Sequence, residues 1–206
     1  LDQLTTGRLA VHLIAGGSSR DQAMDGDFIA HDDRYRRLDE YATLLRRTWT
    51  ETAPFDHQGE FYRVEGAQAD IRCHQTPHIP VYGGGGSDAA IASLAPHLDV
   101  FMLWGEPLAD TAAFMARVRT TARSHGRTPT FSLSTRPILA ETDDKAWDRA
   151  RAILGKIEGS GRKPGQRQNV GSKRLLAAAA AGEHQDSCLW MKLAEATGAQ
   201  GNSTAL

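Results

Sequence analysis

Residues 81–90 read VYGGGGSDAA, and this stretch decides the fold class. Val81-Tyr82 is the apolar end of a strand, four glycines follow, and Ser87-Asp88 opens an alanine-rich helix over residues 89–95. A strand feeding straight into a helix N-terminus is one joint of a βα unit. Glycine leaves no Cβ between the backbone and a ligand. The first N–H groups of a helix have no acceptor within it and carry the positive end of its dipole. A phosphate meets both needs, and the Ser87 hydroxyl adds a donor. Gly84, Gly85, Gly86 and Ser87 are therefore the candidate phosphate loop. A plain strand–helix turn has the same spacing. The run lacks the Gly-Lys-Ser/Thr ending of a Walker loop and the spaced glycines of the dinucleotide fingerprint.

The pattern repeats on both sides. Upstream, residues 8–14 (RLAVHLI) form an apolar run closed by Ala15-Gly16-Gly17, as in a buried parallel strand. Residues 18–28 read as a polar loop. A helix then opens at His31-Asp32-Asp33-Arg34-Tyr35, with Asp32 or Asp33 as N-cap. Its apolar positions Leu38, Tyr41, Ala42, Leu45 and Trp49 keep a 3.6-residue period. Residues 55–65 suit a hairpin turning at Gln58-Gly59. Downstream, residues 99–103 are a strand ending in Trp104-Gly105-Glu106-Pro107. Asp110 caps a helix that Gly126 stops, residues 131–139 form a strand, and Thr142 caps a helix through Ile153. Residues 159–173, rich in Gly, Lys and Arg, read as a mobile loop, and one further helix covers residues 175–181. Alternation at this spacing predicts an α/β fold with a parallel sheet. Four such units make half of an eight-fold barrel, or most of a doubly wound sheet.

The 206 residues suggest one domain, 1–206. With 24 Lys and Arg against 25 Asp and Glu, the chain has no basic excess for nucleic acid. No apolar run of roughly 18 residues could span a membrane, and no charged-then-apolar leader opens the sequence. Cys73 and Cys188 stand in no metal spacing and read as ordinary thiols of a reducing, cytoplasmic compartment. The start at Leu1 without Met and the end at Leu206 both read as cut.

Other residues invite chemistry. His31 and Tyr35, four apart, share a helix face and could donate to a phosphate; a capping histidine beside a core tyrosine fits equally. His12 lies within an apolar strand, where a buried, satisfied histidine is the commoner finding. Trp104, at a strand end, could floor a flat ring, while Glu106 suits the cap of the next helix. Arg136 is a cation placed within a strand, costly unless it faces a partner or a wet cavity. No HExxH pair, serine elbow or Cys/His cluster supports metal-assisted or serine hydrolysis, and no metal site is expected.

In order along the chain, several pieces resemble the bacterial luciferase-like flavin monooxygenases, in particular their alkanesulfonate monooxygenase branch. They are Thr6-Gly7-Arg8, Gly16, Asp25-Gly26-Asp27-Phe28, His31-Asp32-Asp33-Arg34-Tyr35 and the hairpin from Phe55 to Gly66. Further on come Pro77 to Ala90, Trp104-Gly105-Glu106-Pro107, His125-Gly126-Arg127, and Glu141-Thr142-Asp143 with Ala146-Trp147. The resemblance implies a (β/α)8 TIM barrel, here an internal fragment covering strands four to seven with a small hairpin insertion. A closed barrel takes about 250 residues. It also implies reduced FMN (FMNH2) as cofactor, O2 and a small organic substrate, an NAD(P)H:flavin reductase as partner, and a homo-oligomer for the full-length protein.

Carried over residue by residue, Gly84, Gly85, Gly86 and Ser87 correspond to the FMN phosphate site, with Tyr35 and His31 beside it and Trp104 on the cofactor. His12 and Arg136 are the candidate catalytic residues from their strand positions, not from a family match. His12 stands where the family commonly has Asn, and Ala15 where Thr is usual. Ser134 and Arg136 stand where the sulfonate branch has Arg and His, and residues 197–203 lack that branch's Arg. Alkanesulfonate is thus one of several candidate substrates. The alternatives are an inactive or flavin-binding-only remnant and a deazaflavin-dependent oxidoreductase on the same barrel.

Overall fold

The computed structural model describes residues 1–161, 163–165 and 169–199. The chain divides into two compact units, one of Leu1–Met102 with Arg117–Ser132 and one of Leu103–Ala116 with Leu133 onward. In chain order the first elements are β1 (Val11–Leu13), α1 (Ser19–Met24), α2 (His31–Thr50), β2 (Phe55–Gln58), β3 (Arg63–Ala67), β4 (Val81–Gly83) and α3 (Asp88–Leu94). Next come β5 (Val100–Trp104), α4 (Leu108–Ser124) and β6 (Thr130–Ser134), each of which runs through the division. The chain continues with α5 (Asp143–Gly159), α6 (Val170–Ala181), β7 (His184–Gln185), β8 (Leu189–Trp190) and α7 (Lys192–Thr197).

The main sheet has the order β1-β4-β5-β6, with β1–β4 and β4–β5 parallel, as the alternation predicts. Its register sets Leu13, Gly83 and Phe101 in one row, and all three are buried. Side chains alternate across a sheet, so the adjoining row of His12, Tyr82 and Val100 faces the other way; there His12 is exposed and the other two are half-buried.

The first unit also buries faces of two helices. Tyr35, Leu38, Ala42 and Leu44 of α2 are buried, as are Ala90, Ile91 and Leu94 of α3, and these two helices pack together. Each buried Leu or Phe is worth about 2 kcal/mol of transfer free energy. The stripe on α2 is shifted from the predicted one. Leu44 is buried in place of Leu45, and Tyr41 is exposed, its ring 6.1 Å from Tyr62 of the hairpin. At the foot of the sheet Asp99 accepts the Val81 N–H (2.8 Å) and pairs with Arg127 (2.7 Å), tying β4 to β5 where both begin. The hairpin forms as predicted, but its loop spans residues 59–62, closed by Gly59 N–H on the Tyr62 carbonyl. Glu40 of α2 holds that loop by accepting the Phe61 and Tyr62 N–H groups and facing His57.

The second unit has its own core. Leu175, Leu189, Met191, Ala194 and Ala199 are buried together, with Trp104 against them. Ala150 and Trp190 form a second cluster with Trp147, Ile138, Leu154 and Leu193.

Five predictions change. Asp110 does not cap α4, which begins at Leu108 and holds Asp110 inside its first turn. Part of the polar stretch 18–28 is helical: α1 is capped by Ser18, which accepts the Asp21 N–H. The N-cap of α2 is Ala30, without a side-chain bond, and Asp32 and Asp33 lie in the first turn, where their charge suits the helix dipole. The strand expected at 131–139 spans only Thr130–Ser134; Arg136 makes no more than an isolated bridge, and Pro137 beyond it cannot donate to a ladder. The stretch 159–173 is not one loop, since α5 runs to Gly159 and α6 begins at Val170; residues 162 and 166–168 lie outside the described residues. Gly126, at φ +68, stops α4 as expected, and Thr142 caps α5 by accepting the Lys145 N–H.

Candidate functional site

The first unit gathers Tyr35, His31 and the glycine loop. Ser87 is the N-cap of α3, its hydroxyl oxygen accepting the Ala90 N–H at 3.1 Å. The Tyr35 hydroxyl lies beside this cap, against Gly85 of the same loop. Burial pushes the Tyr35 phenol up, with Asp32 adding to the effect, while Arg34 and Ser87 oppose it. His31 opens α2, its Nδ1 2.7 Å from Asp32 and its ring edge-on to Tyr35 with centroids 5.1 Å apart.

The glycines are explained in part by the protein itself. A Cβ on Gly85 would lie 2.6 Å from the Tyr35 hydroxyl and 2.5 Å from the Ala90 Cβ. One on Gly84 would lie 2.5 Å from the Met102 carbonyl, and one on Gly83 3.0 Å from Leu98. So the chain needs glycine at 84 and 85 for its own close packing, whatever ligand approaches. Gly86 sits in the bend just before the cap, half-buried.

Sequence reasoning gave Arg34 no role, yet it organises this end of the unit. Only 1% exposed, it donates to the carbonyls of Ala15 (3.1 Å), Gly16 (3.2 Å) and Ile29 (2.7 Å) and to the Ser19 hydroxyl (3.4 Å). It thus ties the segment leaving β1 to the start of α2. The sign of this was present: positions 34, 38 and 42 lie on one helix face, and Leu38 and Ala42 are core. Asp27 beside it pairs with Arg37 and accepts the Ile29 N–H; Arg37 foremost holds its carboxyl below the usual range.

His12 is not the buried histidine expected. It points from the exposed side of β1, opposite Tyr82 in register.

The remaining predicted residues belong to the second unit. Trp104 ends β5, half-buried, with its ring against Gly171. Glu106 does not cap α4 with its side chain. It pairs with Arg174, whose guanidinium lies 4.6 Å from the Phe114 ring centre, and Asp186 takes the Leu108 N–H instead. Burial raises the Glu106 carboxyl above the ordinary range, and Arg174 opposes this. Arg136 lies past the end of β6 and is exposed, so the cost of a cation within a strand does not arise.

A four-stranded sheet, parallel over β1–β4 and β4–β5, in which each strand feeds a helix is an α/β architecture consistent with part of a βα-barrel. The chain belongs to the luciferase-like monooxygenase family, whose profile matches residues 1–206. Its fold is similar to that of a riboflavin lyase solved with modified FMN and riboflavin, at 21% identity and TM-score 0.66 over 73% of this chain and 39% of that one. A long-chain alkane monooxygenase is similar at 20% identity and TM-score 0.65 over 82% and 48%. An F420-dependent secondary alcohol dehydrogenase, solved with an F420–acetone adduct, is similar at 17% identity and TM-score 0.61 over 86% and 54%. The chain therefore spans about half or less of the length of these relatives. Among the described residues, no helix is long and apolar enough to cross a membrane.

Proposed function

We propose that the first unit carries the phosphate end of a flavin site, and that the longer protein built on this fold is an FMNH2-dependent two-component monooxygenase. The observation that carries this is the meeting of Tyr35, Ser87 and Gly85 at the start of α3. The donor set suits a phosphate dianion: two hydroxyls, the imidazole of His31, and the first N–H groups of α3, which have no acceptor within the helix. Gly85 and Gly86 keep side chains away from this surface, and Arg34 fixes α2 so that Tyr35 is held in place. FMN, when bound, supplies the redox chemistry with O2, and a separate NAD(P)H:flavin reductase supplies its reduced form. The substrate is a small organic molecule, alkanesulfonate-like or related, with Arg136 free to meet an anionic group and His12 exposed on its strand.

Fluorescence titration tests the reading. FMN should bind about tenfold or more tightly than riboflavin, which lacks the phosphate, because a hydrogen bond to a charged group is worth about 1.5–3 kcal/mol. Tyr35→Phe should remove much of that preference and leave riboflavin binding unchanged. Equal binding of the two flavins sinks the proposal. A deazaflavin-dependent oxidoreductase is the second reading, favoured by the F420-dependent relative. Tighter binding of coenzyme F420 than of FMN would select it.

A further inference from the structure

We propose that the first turn of α6 is a seat that sets the plane of the Trp104 ring, and that Gly171 is the positioning residue within it. The strand β5 fixes the Trp104 Cα, but its two side-chain torsions still allow several rotamers. Beyond the core cluster the ring packs against, the closest restriction lies on α6. A Cβ on Gly171 would stand 2.8 Å from Cζ3 and 3.0 Å from Cε3 of Trp104, so the indole rests on the bare helix backbone. Glycine has no local reason to be there. It is the second residue of an otherwise alanine-rich helix, it is not among the positive-φ glycines, and glycine costs a helix about 1 kcal/mol relative to alanine. The absent side chain serves the ring.

The same turn is held from three directions. Asn169 caps it by accepting the Ser172 N–H at 2.8 Å. The buried Ser172 hydroxyl donates to the Ala199 carbonyl at 2.7 Å. Arg174 pairs with Glu106, two residues beyond Trp104 on the same strand exit. This last contact couples the helix turn directly to the segment that bears the ring. The angle of the ring is therefore set by α6 as much as by β5.

The functional consequence rests on reading Trp104 as the floor for a flat ring; the seat itself does not. Intrinsic fluorescence tests it on the whole chain without flavin, with Trp104→Leu proteins supplying the emission of Trp49, Trp147 and Trp190 for subtraction. Gly171→Ala should red-shift the Trp104 component and increase its acrylamide quenching about twofold or more. It should lower the thermal midpoint when Trp104 is present and raise it in the Trp104→Leu background, where only the better helix propensity remains. Arg174→Met, which adds no bulk to the turn, should move the same component if Gly171→Ala does not fold. An unchanged Trp104 component, or the same sign of midpoint shift in both backgrounds, overturns the seat. Failure of the phosphate reading removes the preference between FMN and riboflavin in the parent protein and leaves the Trp104 emission as it was, so the two proposals fail separately.

Discussion

Arg34 in the first unit and Glu106 in the second are both charges taken out of water, and they are satisfied in different ways. Arg34 donates to three backbone carbonyls and one hydroxyl, all from the segments around β1 and the start of α2. Glu106 relies on one side chain, Arg174, delivered by a helix far along the sequence. Backbone carbonyls do not titrate and cannot rotate away. A carboxylate facing a single guanidinium can do the first, and its partner can do the second. The Arg34 contacts should therefore hold across pH, while the Glu106 contact should respond to it.

The largest effect should come from Arg34→Met. Removing the guanidinium leaves part-buried carbonyls without donors, at about 1–3 kcal/mol for each group cut off from water. A loss of about 3 kcal/mol or more is expected in urea unfolding, nearly independent of pH. A strong pH dependence of that loss would break the contrast. Arg174→Met should cost less, about 1–3 kcal/mol at neutral pH, since the pair is only partly buried. This loss should shrink on acidification. The folded Glu106 already binds its proton more tightly than the unfolded chain does, so its ionisation weakens the fold as pH rises through the raised folded value. Without Arg174 that value moves higher and the sensitive window extends upward, which a stability-against-pH profile will show. Ser87→Ala should have the smallest effect, about 1 kcal/mol from loss of the α3 cap in thermal unfolding. A much larger loss would mean that Ser87 also holds Tyr35 in the fold.

The sheet was legible because its strands are apolar runs separated by helices with clear periods, and the hairpin and the Thr142 cap followed from local chemistry. Shorter elements were not. The six residues of α1 bury nothing, so no period marks them, and β7 and β8 have two residues each. At the candidate site, the meeting of Tyr35 with the glycine loop was foreseen from motif order. The reason for the glycines was not, because Met102 and Ala90 press on them only in three dimensions. Arg136 was placed within a strand because the apolar run FSLSTRPIL outweighed the signal of Pro137, which has no N–H to give a ladder. Glu106 read as a helix cap because its partner on α6 is 68 residues away.

The geometry around Arg34 also bears on how this chain can be rebuilt. A planar fork with five donors reaches four acceptors spread over three segments. A lysine, with one point of charge, would leave some of them bare. In a mutational library position 34 should thus be frozen, while its neighbour Arg36, bonded at the surface to Asp33 and Glu60, can be varied freely. Two arginines two residues apart call for opposite treatment in protein engineering.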